Sequence, residues 1–274
     1  MRAKKDLAFT SAVEIMELSF FEPVWVAYFI FVTALLGLVM GSFCNAWAWR
    51  IVNNEKISKG RSHCTSCGHV LGVLDLIPVF SWLFLKGKCR YCGSKISARY
   101  PLTEIISCIW YVAMLLRYGI TLDCIRLCLT GSCLLATSLV DIDSFELPDG
   151  FTIAIALLAM LKAGVHPEQQ LDMVIGALMA LPLLLIVLIM DKIKQTETMG
   201  GGDIKLLAAL GLHFGWKAML FLLISACIIG LAFAALTRKG KETAFPFGPM
   251  LAAAAFFTAV FGDIVINAYL ELFI

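Results

Sequence analysis

The stretch PVWVAYFIFVTALLGLVMGSFCNAWAW, Pro23–Trp49, contains no charged residue. A bilayer core asks for about 20 predominantly apolar residues per helix, because lipid offers unpaired backbone groups no partner. The stretch is long enough to span, and it reads as a first transmembrane helix. The rest of the chain agrees. Of 274 residues, 60% are apolar and only 15% charged, with mean hydropathy +0.88. A soluble domain is typically about 45–50% apolar and about 25% charged. Too little polar surface exists here to cover one. Disorder, collagen and a disulfide framework are excluded as well. The fold class is all-α, a polytopic membrane protein. A net charge of +2 suggests no nucleic-acid partner.

Working outward, Met173–Met190 and Ala218–Leu236 are nearly as apolar, and Thr243–Gly262 begins another span that continues past Asp263. Four weaker segments are Tyr100–Leu116, Leu122–Val140, Asp149–Val165 and Asp203–Trp216, giving about eight helices. The weak ones carry a physical message. The charge-free runs Leu127–Val140, Phe151–Leu161 and Leu206–Trp216 are each too short to span alone. They reach a useful length only if Asp141, Asp149 or Asp203 enters the membrane edge. Ionisable groups at that depth are costly and usually face a bundle interior or a water-filled cavity. The bland alternative is short helices whose carboxylates sit in bulk water.

Basic residues give the orientation. If the loop after the first span is cytoplasmic, that side holds 15 of the 22 Lys and Arg: nine in Arg50–Arg99, then Lys192, Lys194, Lys205, Arg238, Lys239 and Lys241. The other side holds Arg2, Lys4, Lys5, Arg117, Arg126, Lys162 and Lys217. The bias predicts an outside N-terminus. Residues 1–22 begin with basic residues, but Glu14, Glu17 and Glu22 interrupt what would be a signal-peptide core, so they read as a lead-in.

Six of the ten cysteines, Cys44, Cys108, Cys124, Cys128, Cys133 and Cys227, lie in or beside apolar segments and read as small buried hydrophobes. The other four form Cys64-Thr65-Ser66-Cys67 and Cys89-Arg90-Tyr91-Cys92, each followed by glycine, Gly68 or Gly93. Two such knuckles can set four thiolates around Zn²⁺, with Lys86, Lys88 and Arg90 favouring ionised sulfur. Two disulfides or four free thiols are the alternatives. His63 and His69 flank the first knuckle as spare ligands. Between the knuckles, LDLIPVFSWLFL, Leu74–Leu85, is too short for a clean span and suits the membrane surface.

Two acidic motifs fall on the predicted cytoplasmic side. The first runs from Asp141 through Asp143, Glu146 and Pro148 to Asp149, four carboxylates in nine residues. The second is Met199-Gly200-Gly201-Gly202-Asp203-Ile204-Lys205, whose glycines open backbone conformations closed to other residues and admit an extended substrate. Two carboxylates sharing a partly desolvated site need not ionise together. One can then take a proton from water while the other donates to a peptide carbonyl. Alternatively Asp141 is a solvated boundary residue and Asp203 a helix cap.

These residues, with Gly41-Ser42-Phe43-Cys44-Asn45, Arg61-Ser62-His63-Cys64, Tyr100-Pro101-Leu102-Thr103-Glu104 and Pro246-Phe247-Gly248-Pro249, resemble the type IV prepilin peptidase family, membrane aspartic proteases of the GxGD type. The resemblance implies an enzyme of a prokaryotic inner membrane that cuts the basic leader from prepilin or pseudopilin helices after a glycine. It implies Asp141 and Asp203 as the catalytic pair, and supporting places for Asp149, Gly200, Gly202 and Lys205. It implies zinc at Cys64, Cys67, Cys89 and Cys92, and N-methylation from S-adenosylmethionine at a site the motifs do not locate. The organisation expected is a lead-in over 1–22, a first helix over 23–49, a zinc loop over 50–99 and a peptidase core over 100–274. A zinc-bearing assembly scaffold without peptidase activity, or a transporter with an acidic ion site, are the competing readings. Substrate identity and oligomeric state stay open.

Overall fold

The computed structural model describes residues 22–56, 60–195, 199–237 and 246–272. Residues 1–21 of the lead-in, Arg238, Lys239, Lys241 and the start of the last predicted span at Thr243 lie outside them. Every named element is helical, and among the described residues extended pairing is limited to two isolated bridges, His63 with Val70 and Lys88 with Lys95. The helices are α1 (Pro23–Val52), α2 (Phe80–Phe84), α3 (Arg99–Tyr118), α4 (Leu122–Ser144), α5 (Asp149–Val165), α6 (Gln170–Leu178), α7 (Ala180–Lys194), α8 (Gly201–Phe214), α9 (Trp216–Thr237) and α10 (Gly248–Glu271). Short 3₁₀ turns cover Val73–Asp75 and Pro167–Gln169.

Among the described residues, five segments are long and apolar enough to cross a bilayer: Pro23–Val52, Leu122–Ser144, Pro167–Lys194, Trp216–Leu236 and Gly248–Glu271. The apolar flanks of α1 face outward, with Trp25, Tyr28, Phe31, Leu36 and Val39 all exposed. Such a belt would be an aggregation liability in water and is natural against lipid. The chain is a multi-pass membrane protein. By contrast α4 is largely buried and packs against α1, α3, α5 and α10. Its polar side chains are satisfied locally: the hydroxyls of Thr130, Ser132, Thr137 and Ser138 each donate to the carbonyl four residues earlier.

Small residues let helices meet where lipid gives no hydrophobic drive between them. Gly37 and Gly41 seat α1 against α3, where a Cβ would stand 2.7 Å from Cys108 Cα and 2.6 Å from Glu104 Cα. Gly176 of α6 and Gly211 of α8 do the same, each with backbone of the other where its Cβ would be. The core fills the space between α3, α4, α5, α8, α9 and α10 with Met114, Leu127, Ile155, Leu207, Leu222 and Leu251.

Two boundaries differ from the sequence reading. The predicted span Met173–Met190 is divided at Met179 into α6 and α7. Pro182 has no N–H to give the Leu178 carbonyl, so a regular ladder cannot run through. The last helix begins at Gly248, with Pro249 in its first turn, and runs to Glu271. At the end of the bundle opposite the acidic motifs, Arg126 donates to Asp123 at 2.8 Å and lies 2.6 Å from Nε2 of the fully buried His213.

Candidate active site and metal centre

Asp141 lies in the last turn of α4, which ends at Phe145 in the left-handed region, with the Phe145 N–H closing on the Asp141 carbonyl at 2.9 Å. Pro148 then caps α5. Asp203 lies in the first turn of α8, its N–H donating to the Gly200 carbonyl at 3.1 Å. Both carboxylates are buried, 4% and 8% exposed, and both line one cavity of about 460 Å³. Phe145, Glu146, Leu147, Asp149, the three glycines, Lys205 and Phe247 complete its wall.

The two acids are held differently. Asp141 Oδ2 accepts the N–H of Gly248 at 2.7 Å, from the start of α10. Asp203 Oδ1 is buried with no hydrogen-bond partner among the described residues. An orphaned buried acceptor costs about 1–3 kcal/mol. Such a group, in a cavity beside a second carboxylate, is set for a ligand donor such as water or a protonated acid.

The glycine triplet works by closeness rather than by unusual backbone. Gly200 is extended, and Gly201 and Gly202 are helical. A Cβ on Gly202 would stand 2.8 Å from Leu147 Cβ, and one on Gly200 would be 3.3 Å from Asp203 Oδ2. Lys205 bridges Asp149 at 2.9 and 3.1 Å, at the exposed rim. Asp143 is paired with Arg99 at 2.6 Å. Glu146 has no ion-pair partner among the described residues. The structure thus brings Asp141, Asp203, Asp149, Gly200, Gly202 and Lys205 around one cavity. The donor Gly248 stands in a quoted motif, but no local pattern announced that its amide faces Asp141, over a hundred residues away.

The second centre is built from the two knuckles. In each, the first cysteine's carbonyl accepts the N–H of a glycine with positive φ: Gly68 at 2.8 Å and Gly93 at 3.0 Å. The four sulfurs of Cys64, Cys67, Cys89 and Cys92 lie within 4.8 Å of one another. A tetrahedron with Zn–S bonds of about 2.3 Å has edges of about 3.8 Å, and Cys64 Sγ is 3.9 Å from Cys92 Sγ. The donor set fits a zinc knuckle. All ten cysteines are free, so the two-disulfide alternative is not formed. The Cys64 thiol is pulled down to about 6, chiefly by the N–H of Cys67 and then that of Ser66, which favours the thiolate a metal needs. His63 packs on Trp49 and His69 on Tyr91, and neither joins the cluster.

Two buried carboxylates at helix ends, facing one cavity inside a helical bundle, are an arrangement that can do the acid–base work of an aspartic peptidase. Two family models agree: the bacterial peptidase A24 N-terminal domain matches residues 35–118 and the type IV leader peptidase family matches 128–235. The chain belongs to the type IV leader peptidase family. Among its relatives, a prepilin leader peptidase/N-methyltransferase of Pseudomonas putida is 32% identical, covering 90% of this chain and 95% of that one. Proteins of the same name from Dichelobacter nodosus and Bacillus subtilis (strain 168) are 34% and 31% identical, over 85% and 87% of this chain and 92% and 96% of theirs. No solved structure matches the chain.

Proposed function

We propose that the chain is a prepilin leader peptidase and N-methyltransferase, in which Asp141 and Asp203 activate water against the peptide bond after the leader's glycine. The observation that carries this reading is the meeting of two buried carboxylates, from α4 and α8, in one cavity. Two acids that share one buried cavity disfavour double ionisation, so one proton is shared between them. One carboxylate takes a proton from the attacking water. The other donates to the scissile carbonyl, and the proton then passes to the leaving amine. Gly248 fixes the orientation of Asp141, while Asp203 keeps a free oxygen for water or substrate. Phe145, Leu147 and Phe247 offer apolar walls to the substrate helix beyond the cut.

The five long apolar segments with α3, α5 and α8 make eight spans. At about 1.5 Å per residue, α8 with its 14 residues is only about 21 Å long, short of the roughly 30 Å hydrocarbon core. Such a helix sets Asp203 below the headgroups, on the cytoplasmic side by the basic-residue bias. Glu146, an exposed acid of the cavity wall with no ion-pair partner among the described residues, faces the leader's basic residues. Residues 50–99 form a small cytoplasmic domain in which Cys64, Cys67, Cys89 and Cys92 hold one structural zinc. S-adenosylmethionine supplies the methyl group for the new N-terminus. Intact-mass analysis of a prepilin incubated with the purified full chain, with and without S-adenosylmethionine, tests all of this. Loss of the leader alone without the donor, and loss plus one methyl with it, is expected. An unprocessed prepilin contradicts the reading.

A further inference from the structure

Two motifs of the first half, over 41–45 and 100–104, stand apart from the water-activating pair along the chain. In the fold they meet. Gly41 lets α1 close on the backbone of α3 at Glu104. The Asn45 amide donates to the Thr103 hydroxyl and, at 3.4 Å, to the Tyr100 carbonyl. The Thr103 hydroxyl in turn faces the carbonyls of Arg99 and Tyr100, 3.1 and 2.9 Å away. Asn45 and Thr103 are both buried. The first turn of α3 is therefore pinned from α1 by enclosed hydrogen bonds, and Arg99 is its first residue.

From that platform the Arg99 guanidinium reaches α4. Its Nη1 donates to Asp143 Oδ1 at 2.6 Å and its Nη2 to the Leu139 carbonyl at 3.1 Å. The two acceptors stand two positions to either side of Asp141, at the end of α4. A planar fork with two bonds made fixes direction as well as distance. The ion pair is open, its side chains 34% and 30% exposed, so it adds little stability. Its consequence is placement.

We propose that Arg99 is a positioning residue of the peptidase step, which fixes the end of α4 that carries Asp141. The proposal rests on the reading of Asp141 as one of the water-activating pair. Gly248 acts on the Asp141 carboxylate itself, through Oδ2. Arg99 acts one level below, on the backbone that carries the carboxylate. Through it α1 and α3, none of whose described residues lines the cavity of Asp141 and Asp203, take part in cleavage. Misplacing a catalytic group by about 1 Å costs about a hundredfold in rate, so a shift of about half an ångström at the end of α4 is about a tenfold effect.

The test is initial-rate cleavage of a purified prepilin by the purified full chain, read by mass over a range of substrate concentrations. Arg99→Met keeps the stem and removes both bonds. It should lower kcat about tenfold or more and leave KM within twofold, with the wild-type thermal transition and zinc content kept. Arg99→Lys, which keeps the charge and loses the fork, should fall between. Asp143→Ala removes one acceptor and should lower kcat a few-fold. Added to Arg99→Met it should cost nothing more, because its partner is already gone. If Arg99→Met does not fold, the cycle run with Arg99→Lys should still be less than additive. A folded Arg99→Met with kcat within twofold of wild type overturns the assignment. A loss carried by KM, the mark of a substrate contact, overturns it too, and so does an additive double variant. Cleavage by Asp141→Asn instead overturns the reading of the catalytic pair on which the proposal rests.

Discussion

Gly248→Ala probes the active-site geometry at one atom. A methyl added at Gly248 would lie 2.8 Å from Asp141 Oδ2 and 3.4 Å from its Cβ and Cγ. A carbon and an oxygen in ordinary contact stand about 3.3 Å apart or more, so the carboxylate must retreat by about half an ångström. Retreat lengthens the 2.7 Å bond from the Gly248 N–H. A bond to a charged acceptor is worth about 1.5–3 kcal/mol. Misplacing a catalytic group by about 1 Å costs about a hundredfold in rate. Half that displacement, with a weakened bond, predicts a kcat lowered about ten- to hundredfold. Alanine is otherwise at home in a first helical turn, so abundance and thermal unfolding in detergent should match wild type. The assay is initial-rate cleavage of a purified prepilin, read by mass. Gly248→Ala within twofold of wild-type kcat, with its fold intact, would refute the claim that this amide positions Asp141.

Further expectations follow from the same geometry. Gly202→Ala pushes Leu147 out of a 2.8 Å approach and should slow cleavage about tenfold or more by displacing the first turn of α8, measured in the same assay. Cys67→Ser or Cys92→Ser should lose the single bound zinc by elemental analysis, and the loop over 50–99 should become protease-sensitive, because metal binding is coupled to folding. Glu146→Gln should raise KM for a basic leader a few-fold with little change in kcat, since an exposed ion pair is worth only about 0.2–1 kcal/mol. A leader stripped of its basic residues should be insensitive to that substitution.

How far the sequence could be read depended on whether the determinant was local. The knuckles were legible because two cysteines, two spacers and a glycine are a self-contained turn, and the bond pattern at Gly68 repeats at Gly93. Asp141 and Asp203 stood out because carboxylates interrupt runs too short to span without them. The membrane class was legible from composition, since no packing can hide so much apolar surface from water. Through-space relations were not. The role of the glycine triplet depends on Leu147, which no glycine pattern reveals. The seating of α1 on α3 depends on what faces Gly37 and Gly41. The Gly248 amide and the grip of Arg99 on α4 join residues far apart along the chain. The break at Met179 was open to reading from Pro182, which sits inside an apolar run that hydropathy alone treats as continuous.

The most direct measurement is the intact mass of a prepilin after incubation with purified Asp141→Asn and Asp203→Asn proteins, each shown to be folded by its thermal transition and by its zinc content. The account predicts that neither variant removes the leader, while both retain wild-type zinc. Cleavage at the wild-type rate by either variant would contradict it.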